Sequence, residues 1–521
     1  MPNFIPYNYK QDAMVVINYE DQLQPGTFEH AIHYLIHQKL DLSVYFAAYN
    51  NTDNGRPAYD PAILLKIILF AYSKGITSSR EIEWCCQTNI IFKALSCDTV
   101  PHYTTIASFV SGHTQAIEAL FEQILFICDE QGLLGHELFA IDGCKMSSNA
   151  SKEVSGTFKE LEQKRTKIKK LIKHHIKEHK RLDKDEPREQ ARIKRTKQAT
   201  ETLTAAFEKI DKFLKTNSPR MGTGQTKKEV KSNITDNQSA KMTTSKGTIQ
   251  GYNGVATVDK KHQVIIDAQA FGSGQEQHTL QPVLQTIKAR YRRLKLSRDI
   301  YKDNTIVTAD TGFANETNNK YLHENKINAY IPDNKFRSRD PKFSQQKTKY
   351  GKRSDYRKIK TTSVIPASEF NLDPENKRCT CPAGEDMWLK NEGLDKRGHY
   401  KLFFEGRLTK CRHCAQKKQC MTNPASADTR KGHGRQVSFI LENKRAPNYT
   451  DWMKHRVDSD KGKQIYSHRM SVVEPVFGNI GTNKGLNRFS LRGQEKVEGQ
   501  WKLYCMIHNI EKLMNYGTMA A

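Results

Sequence analysis

Residues 137–151 read ELFAIDGCKMSSNAS: a short apolar run ends at Asp142 and passes at once into glycine and small polar residues. Such a run, bounded by turn residues, predicts a buried β-strand with a carboxylate at its end. One acid at a strand end is ordinarily just solvated, so the meaning of Asp142 depends on the rest of the chain. Downstream, GYNGVATVD (251–259) and HQVIIDAQAFG (262–272) alternate around a lysine pair and predict a hairpin. HTLQPVLQTIKARYRRL (278–294) is an amphipathic helix, NTIVTAD (304–310) a second short strand closed by an acid, 316–325 a helix and INAYIPD (327–333) a further strand. Strands with helices interposed predict an α/β sheet. Asp310 repeats the Asp142 pattern, since DTGFANE, like DGCKMSS, turns on small residues.

Upstream, residues 1–135 read as an all-helical domain suited to DNA binding or dimerisation. DPAILLKIILFAYSKG (60–75) has an Asp-Pro start and a glycine stop, and SSREIEWCCQTNIIFKAL (78–95) opens on an N-cap serine. TTIASFVSGHTQAIEALFEQILFICDEQGLL (104–134) predicts a third helical region broken near Gly112. The sheet pattern, over 136–156 and 232–333, is interrupted by 157–231. There Ile193, Thr200, Leu203, Phe207, Ile210 and Leu214 follow heptad steps and Pro187 suits a first helical turn, predicting a basic helical hairpin arm. A second interruption, 334–460, is rich in Lys, Arg, Ser and Gly and holds a cysteine cluster; 461–521 returns to helices.

Lysine and arginine outnumber aspartate and glutamate 83 to 57, a formal net charge of +26. That excess points to a polyanion, with a merely basic surface, or one suited to acidic membranes, as the plain alternative. No stretch approaches the roughly 20 apolar residues of a membrane span, and MPNFIPYNYKQDAM lacks a secretory layout. Eleven cysteines at irregular spacing suit a reducing compartment and a metal site better than a disulfide framework. The expectation is a cytoplasmic, nucleoid-associated protein without a membrane partner.

A third acid, Glu474, stands in HRMSVVEPVFGNIGTNKGLNRF, in a helix expected to begin near Tyr466. Two strand-end acids and a helix acid are the carboxylate set that phosphoryl transfer on nucleic acid needs, holding two Mg²⁺ (or Mn²⁺) ions for the attacking and leaving oxygens. At these residues the chain resembles a known family. AIDGCKMSSNASKE, VTADTGFANE, RMSVVEPVFGNI and RFSLRGQEKVEGQWKLYCMIHNIEKL resemble motif blocks of bacterial insertion-sequence transposases of the DDE type, more narrowly the insertion-sequence eleven-eighty-two group. GRPAYDPAILLKIILFAYSKGITSSREIE, PHYTTIASF and TDNQSAKM are similar too. The resemblance implies an RNase H-like mixed sheet with flanking helices, in which Asp142, Asp310 and Glu474 hold the metals. It also implies Tyr466, Arg469 and Lys484 as the DNA-contacting signature, with Arg488 competing for the lysine's place. Four residues separate Arg469 from Glu474 where the broader pattern has three.

Cys381 in CPAG and Cys411, Cys414 and Cys420 in CRHCAQKKQC form a candidate four-thiolate structural zinc set, a zinc-knuckle-like element. Cys379 and His413 compete for a place, and reduced cysteines in a small core are the alternative. The expected activity is metal-dependent cleavage and strand transfer of the element's own double-stranded DNA ends, by a homodimer. Two other readings are a transposase-derived binder without catalysis and a nuclease that cuts without joining. Lys145, Asn149 and His278 are further polar residues near the acids, each equally suited to an ordinary turn or helix start.

Overall fold

The computed structural model describes residues 16–49, 57–182, 190–222, 228–245, 247–296, 303–343, 364–395, 399–443 and 447–518. Pro187 lies outside them, as does the side chain of Ile193. The chain divides into two compact units, Met1–Asn334 with Arg456–Ala521, and Lys335–His455.

In the first unit, helices α1 (Phe28–Tyr34), α2 (Pro61–Ser73), α3 (Ser79–Thr88), α4 (Ile90–Ser96), α5 (Tyr103–Gly112) and α6 (Thr114–Glu130) precede the sheet. Asp60 caps α2 by accepting from the Ala62 N–H at 2.7 Å, with Pro61 in the first turn. The single helix expected over 78–95 is two. Asn89 ends α3 and caps α4, its Oδ1 accepting from the Ile91 and Phe92 N–H groups at 2.9 and 3.3 Å.

Strand β1 (Leu138–Ser147) pairs antiparallel with the long β3 (Gly247–Asp259). The far edge of β3 meets β2 (Ala240–Thr244) over its first half and β4 (Ile265–Phe271) over its second. On the other side β1 pairs in parallel with β5 (Ile306–Ala309), and β5 with β6 (Ala329–Tyr330). The arm, α7 (Phe158–Leu182) and α8 (Gln190–Thr216), is a hairpin closed by Leu161, Ile168, Ile210 and Phe213, with Leu203, Phe207 and Leu214 packed against them. Four of the heptad positions therefore face the partner helix, and Phe213 joins them.

Helix α9 (Leu280–Arg293) follows β4, and α10 (Glu316–Glu324) follows β5. Helices α11 (Asp460–Gly478) and α12 (Gln494–Tyr516) complete the unit. α12 is buried along most of its length against α2, α5, α6 and β4, so the N-terminal helices and the sheet share one core. Trp501, fully buried, donates its indole N–H to the Val255 carbonyl at 3.0 Å. Asn509 satisfies the free edge of β4, exchanging hydrogen bonds of 2.8 Å with the Ile265 N–H and carbonyl.

His508, on the same helix, donates through Nε2 to the Gln263 carbonyl at 2.9 Å and accepts at Nδ1 from Asn479 at 3.2 Å. Burial lowers its pKa to about 3, so the folded ring stays neutral where an unfolded one protonates. The unfolded state thus binds more protons between the ordinary value near 6.5 and about 3. Stability from this group falls as pH drops through that window, by up to about 1.4 kcal/mol per unit. Urea midpoints followed downward from neutral pH should fall less steeply in His508→Asn; an unchanged slope would place the acid sensitivity elsewhere.

The second unit is built on an antiparallel sheet of β7 (Asn371–Asp373), β8 (Arg378–Thr380), β9 (Asp386–Leu394), β10 (His399–Gly406) and β11 (Gln436–Asn443), in that order. Phe370, Met387, Leu402, Phe404 and Val437 are its core. Among the described residues no helix is long and apolar enough to cross a membrane.

Candidate active site

Asp142 and Asp310 are brought together by the parallel edge. Its last pair is Ile141 opposite Ala309, and each acid is the next residue along its strand. β1 does not stop there as the sequence suggests. It runs on to Ser147 along β3, so Asp142 sits within the strand, at the point where β5 leaves it. On the other strand, Asp310 begins a 3₁₀ turn, Thr311–Phe313.

Arg469, on α11, joins the two acids. Its Nη1 donates to Asp142 Oδ2 at 2.8 Å, and Nη2 lies 3.7 Å from Asp310 Oδ1. The guanidinium side chain is 8 % exposed and Tyr466 packs by it, 5.9 Å from ring centre to guanidinium carbon. Burial pushes the Asp142 carboxyl above the usual range; Arg469 and the Gly143 N–H oppose this, and the Asp310 charge adds to it. Arg469 thus bridges a largely enclosed Asp142 and a more exposed Asp310.

Glu474 does not join them. Arg469, Val472, Val473 and Val476 are buried on the face of α11 turned to the sheet, whereas Glu474 is exposed. At 3.6 residues per turn a five-residue step rotates Glu474 roughly 140° from Arg469. The additional residue in the Arg469–Glu474 spacing is the physical reason: the ordinary four-residue step ends here on Val473. Lys484 is also elsewhere, 2 % exposed and ion-paired with Glu511 of α12. Arg488 is exposed and donates to Asn149 Oδ1 at 3.2 Å, holding the turn after β1. Asn149 is tied on its other side to the Ser490 carbonyl, and His278 is exposed against Gln275. Lys145 pairs at 3.2 Å with Glu276, an acid the sequence reading passed over.

In the second unit Cys381, Cys411, Cys414 and Cys420 line one cavity of about 40 Å³. Space for the Cys411 sulfur depends on two glycines, because a Cβ on Gly406 or Gly434 would stand 2.8 or 3.0 Å from it. The Arg435 backbone N–H donates to the same sulfur. Burial pushes the Cys411 and Cys420 thiols up, and the neighbouring cysteines add to the rise. Cys379 points instead into the apolar core, its sulfur 3.8 Å from that of Met387, and His413 is exposed outside the cavity lining. Among the described residues no three His, Cys, Asp or Glu side chains are drawn together closely enough to hold a metal. The four thiols converge on one cavity without yet meeting at bonding distance.

A family model described as Transposase DDE domain matches residues 380–514, and one described as Transposase domain (DUF772) matches 17–112. Both models describe transposases, and together they support an insertion-sequence DDE transposase. The DDE match takes in Arg469 and Glu474 and begins beyond Asp142 and Asp310, while the second covers helices α1 to α5. No curated protein and no solved structure matches the transposase significantly.

Hard carboxylate oxygens are the right chemistry for magnesium or manganese. Asp142 and Asp310 fit that role; Glu474, as folded, does not complete it.

Proposed function

We propose that this transposase cuts and rejoins double-stranded DNA at the ends of its own element, working at the Asp142–Asp310 pair. The observation that carries this reading is the convergence of two acids, 168 positions apart in the numbering, on one buried arginine at the end of a parallel strand pair. The order β4-β3-β1-β5-β6, antiparallel then parallel, supports an RNase H-like core. The motif resemblance favours the eleven-eighty-two group. Asp142 and Asp310 would hold a divalent cation, which when bound would lower the pKa of an attacking water or 3′-hydroxyl and stabilise the leaving oxygen. Asp142 and Asp310 hold fixed negative charge on the rigid sheet, and Arg469 positions both carboxylates. The same guanidinium is suited to hold a scissile phosphate. The basic hairpin arm and the N-terminal helices supply charge for the DNA backbone. Synapsis of two ends calls for a homodimer, and the place of action is the cytoplasm, on the nucleoid.

The deciding experiment offers DNA bearing the inverted repeats that flank the gene, with magnesium or manganese, and scores cleavage and joining separately. Cleavage together with joining of pre-cut 3′-hydroxyl ends is expected. Nicking without joining would make the chain a nuclease, and binding with neither would make it an inactive descendant.

The converging thiols support a structural zinc in the second unit, where four thiolates leave no open position for catalysis. Metal analysis of the purified chain should find about one zinc, and Cys411→Ser should lose it and lower the unfolding midpoint. Four freely titrating thiols and no zinc would instead make this a reduced cysteine core.

A further inference from the structure

The second unit carries its charge unevenly. Along its sheet cations and acids are matched: Lys377 meets Glu392 at 2.8 Å, Lys401 meets Asp395 at 2.8 Å, and Lys390 pairs with Glu405. The segment 407–435 departs from this balance. It holds eight lysines and arginines against one acid, Asp428, and so carries +7 of the chain's formal +26.

That segment folds back on itself as one lobe. Two short helices, Leu408–Arg412 and Lys417–Cys420, pack with a 3₁₀ turn, Pro424–Asp428. Arg412 donates through Nε to the Ala427 carbonyl at 3.0 Å, Lys417 pairs with Asp428 at 2.7 Å, and the His433 N–H reaches Ser426 Oγ at 3.3 Å. Gly432 allows the chain to return, since a Cβ there would strike the Ser426 carbonyl. On the inner side lie Cys411, Cys414 and Cys420, lining the thiol cavity.

Half of the cations have work within the fold. Besides Arg412 and Lys417, Lys410 pairs with Glu385 at 3.1 Å, and Arg435 donates to the Ile365 carbonyl at 2.8 Å while covering Phe370. The other four, Arg407, Lys418, Arg430 and Lys431, are exposed, and among the described residues none meets an acid. Held out on one small frame, they repel one another, a cost the fold itself does not return. Lys418, Arg430 and Lys431 take no part in lining the thiol cavity, so they address a surface and not a small enclosed ion. A free phosphate needs donors that converge on it. A duplex instead offers phosphates in a row, on which separated cations each find one.

We propose that this lobe is a DNA-backbone surface, on which Arg407, Lys418, Arg430 and Lys431 hold phosphates of duplex DNA. The proposal rests on DNA being the substrate and is independent of which acids cut it.

The test measures binding of the full chain to a labelled duplex of unrelated sequence across a range of salt. No divalent metal is added, so neither cleavage nor end recognition enters. Each phosphate contact contributes about 0.9 to the slope of log affinity against log salt. Arg407→Gln, Lys418→Gln, Arg430→Gln and Lys431→Gln combined should lower that slope by at least about 2 and weaken binding at least about tenfold at low salt. Arg430→Gln with Lys431→Gln, confined to one turn, should lower the slope by about 1 to 2, and it decides if the fourfold variant does not fold. Lys377→Gln with Lys401→Gln removes the same charge from the matched sheet and should shift the slope by less than about 0.5. A smaller fall in the fourfold variant, as expected of a lobe that docks an acidic protein instead, or equal falls in the two double variants, overturns the proposal. Either result with wild-type DNA binding intact leaves the cleavage reading standing, whereas a wild type that binds no DNA removes both.

Discussion

Asp142→Asn should reduce strand cleavage at least about 100-fold, beyond the range usual for residues that only support a metal ligand. The substitution is nearly isosteric and keeps an acceptor for the Arg469 N–H, so the strand and the helix stay in place. What it removes is the fixed negative charge at the edge of the parallel pair. Asp310→Asn should match it, and the double variant should be hardly worse than either, because groups that act as one unit are not additive. The acids differ in one respect that the measurement can use. Asp142 is largely enclosed, whereas Asp310 has 41 % of its side chain exposed. Loss of Asp142 should therefore perturb the unfolding midpoint more than loss of Asp310, at equal loss of cleavage. Full metal-dependent cleavage in either single variant would remove the acid pair from the chemistry.

Arg290→Met should destabilise the first unit by about 3–5 kcal/mol in urea unfolding, the usual cost of stranding buried partners of an ion pair. Arg290 has no exposed surface. It donates to Asp267 at 2.5 Å, to Glu118 at 2.7 Å and to Glu122 at 3.3 Å, and its Nη1 also reaches the Ile266 carbonyl at 2.8 Å. Phe121 covers the guanidinium. Burial would raise the Glu118 carboxyl, but Arg290 and Lys502 together hold it down to about 2. One side chain thus joins α9, β4, α6 and, through Glu118, α12. Without it three carboxylates are left with too little positive charge, and Asp267 is almost wholly enclosed. Glu122→Gln should cost much less, since Glu122 has a further partner in the half-exposed Arg293. A loss below about 1 kcal/mol for Arg290→Met, in the range of a surface pair, would show that solvent reaches the network.

The parts of this fold that sequence reveals are those set by local pattern. Apolar runs ended by acids identify β1 and β5, and the alternation in 251–272 identifies a hairpin whose register the structure shows. Asn89 was equally legible as a cap, yet apolar spacing on both sides masked it. What sequence hides depends on distant partners. Lys484 reads as a surface cation until Glu511, on another helix, accounts for its burial. Glu276 reads as a turn acid until Lys145, on β1, is placed beside it. The sheet of the second unit escaped because its strands carry charges on both faces. β9 exposes Trp388, and its pairing slips between Leu389 and Asn391, which breaks the period-two signal.

The first strand of the sheet is finished by residues more than three hundred positions further along the chain. Ser147 bridges to Arg488 and accepts from the Phe489 N–H at 2.9 Å, and β4 finds its outer partner in Asn509. A ribosome that has delivered β1 must make more than three hundred further residues before these bonds can close. Until α12 emerges, the apolar faces of α2, α6 and β4 lack their cover. Core closure thus waits for α12, slow because its contacts join residues hundreds of positions apart, and a product truncated before α12 should expose those faces and aggregate rather than persist as a folded fragment.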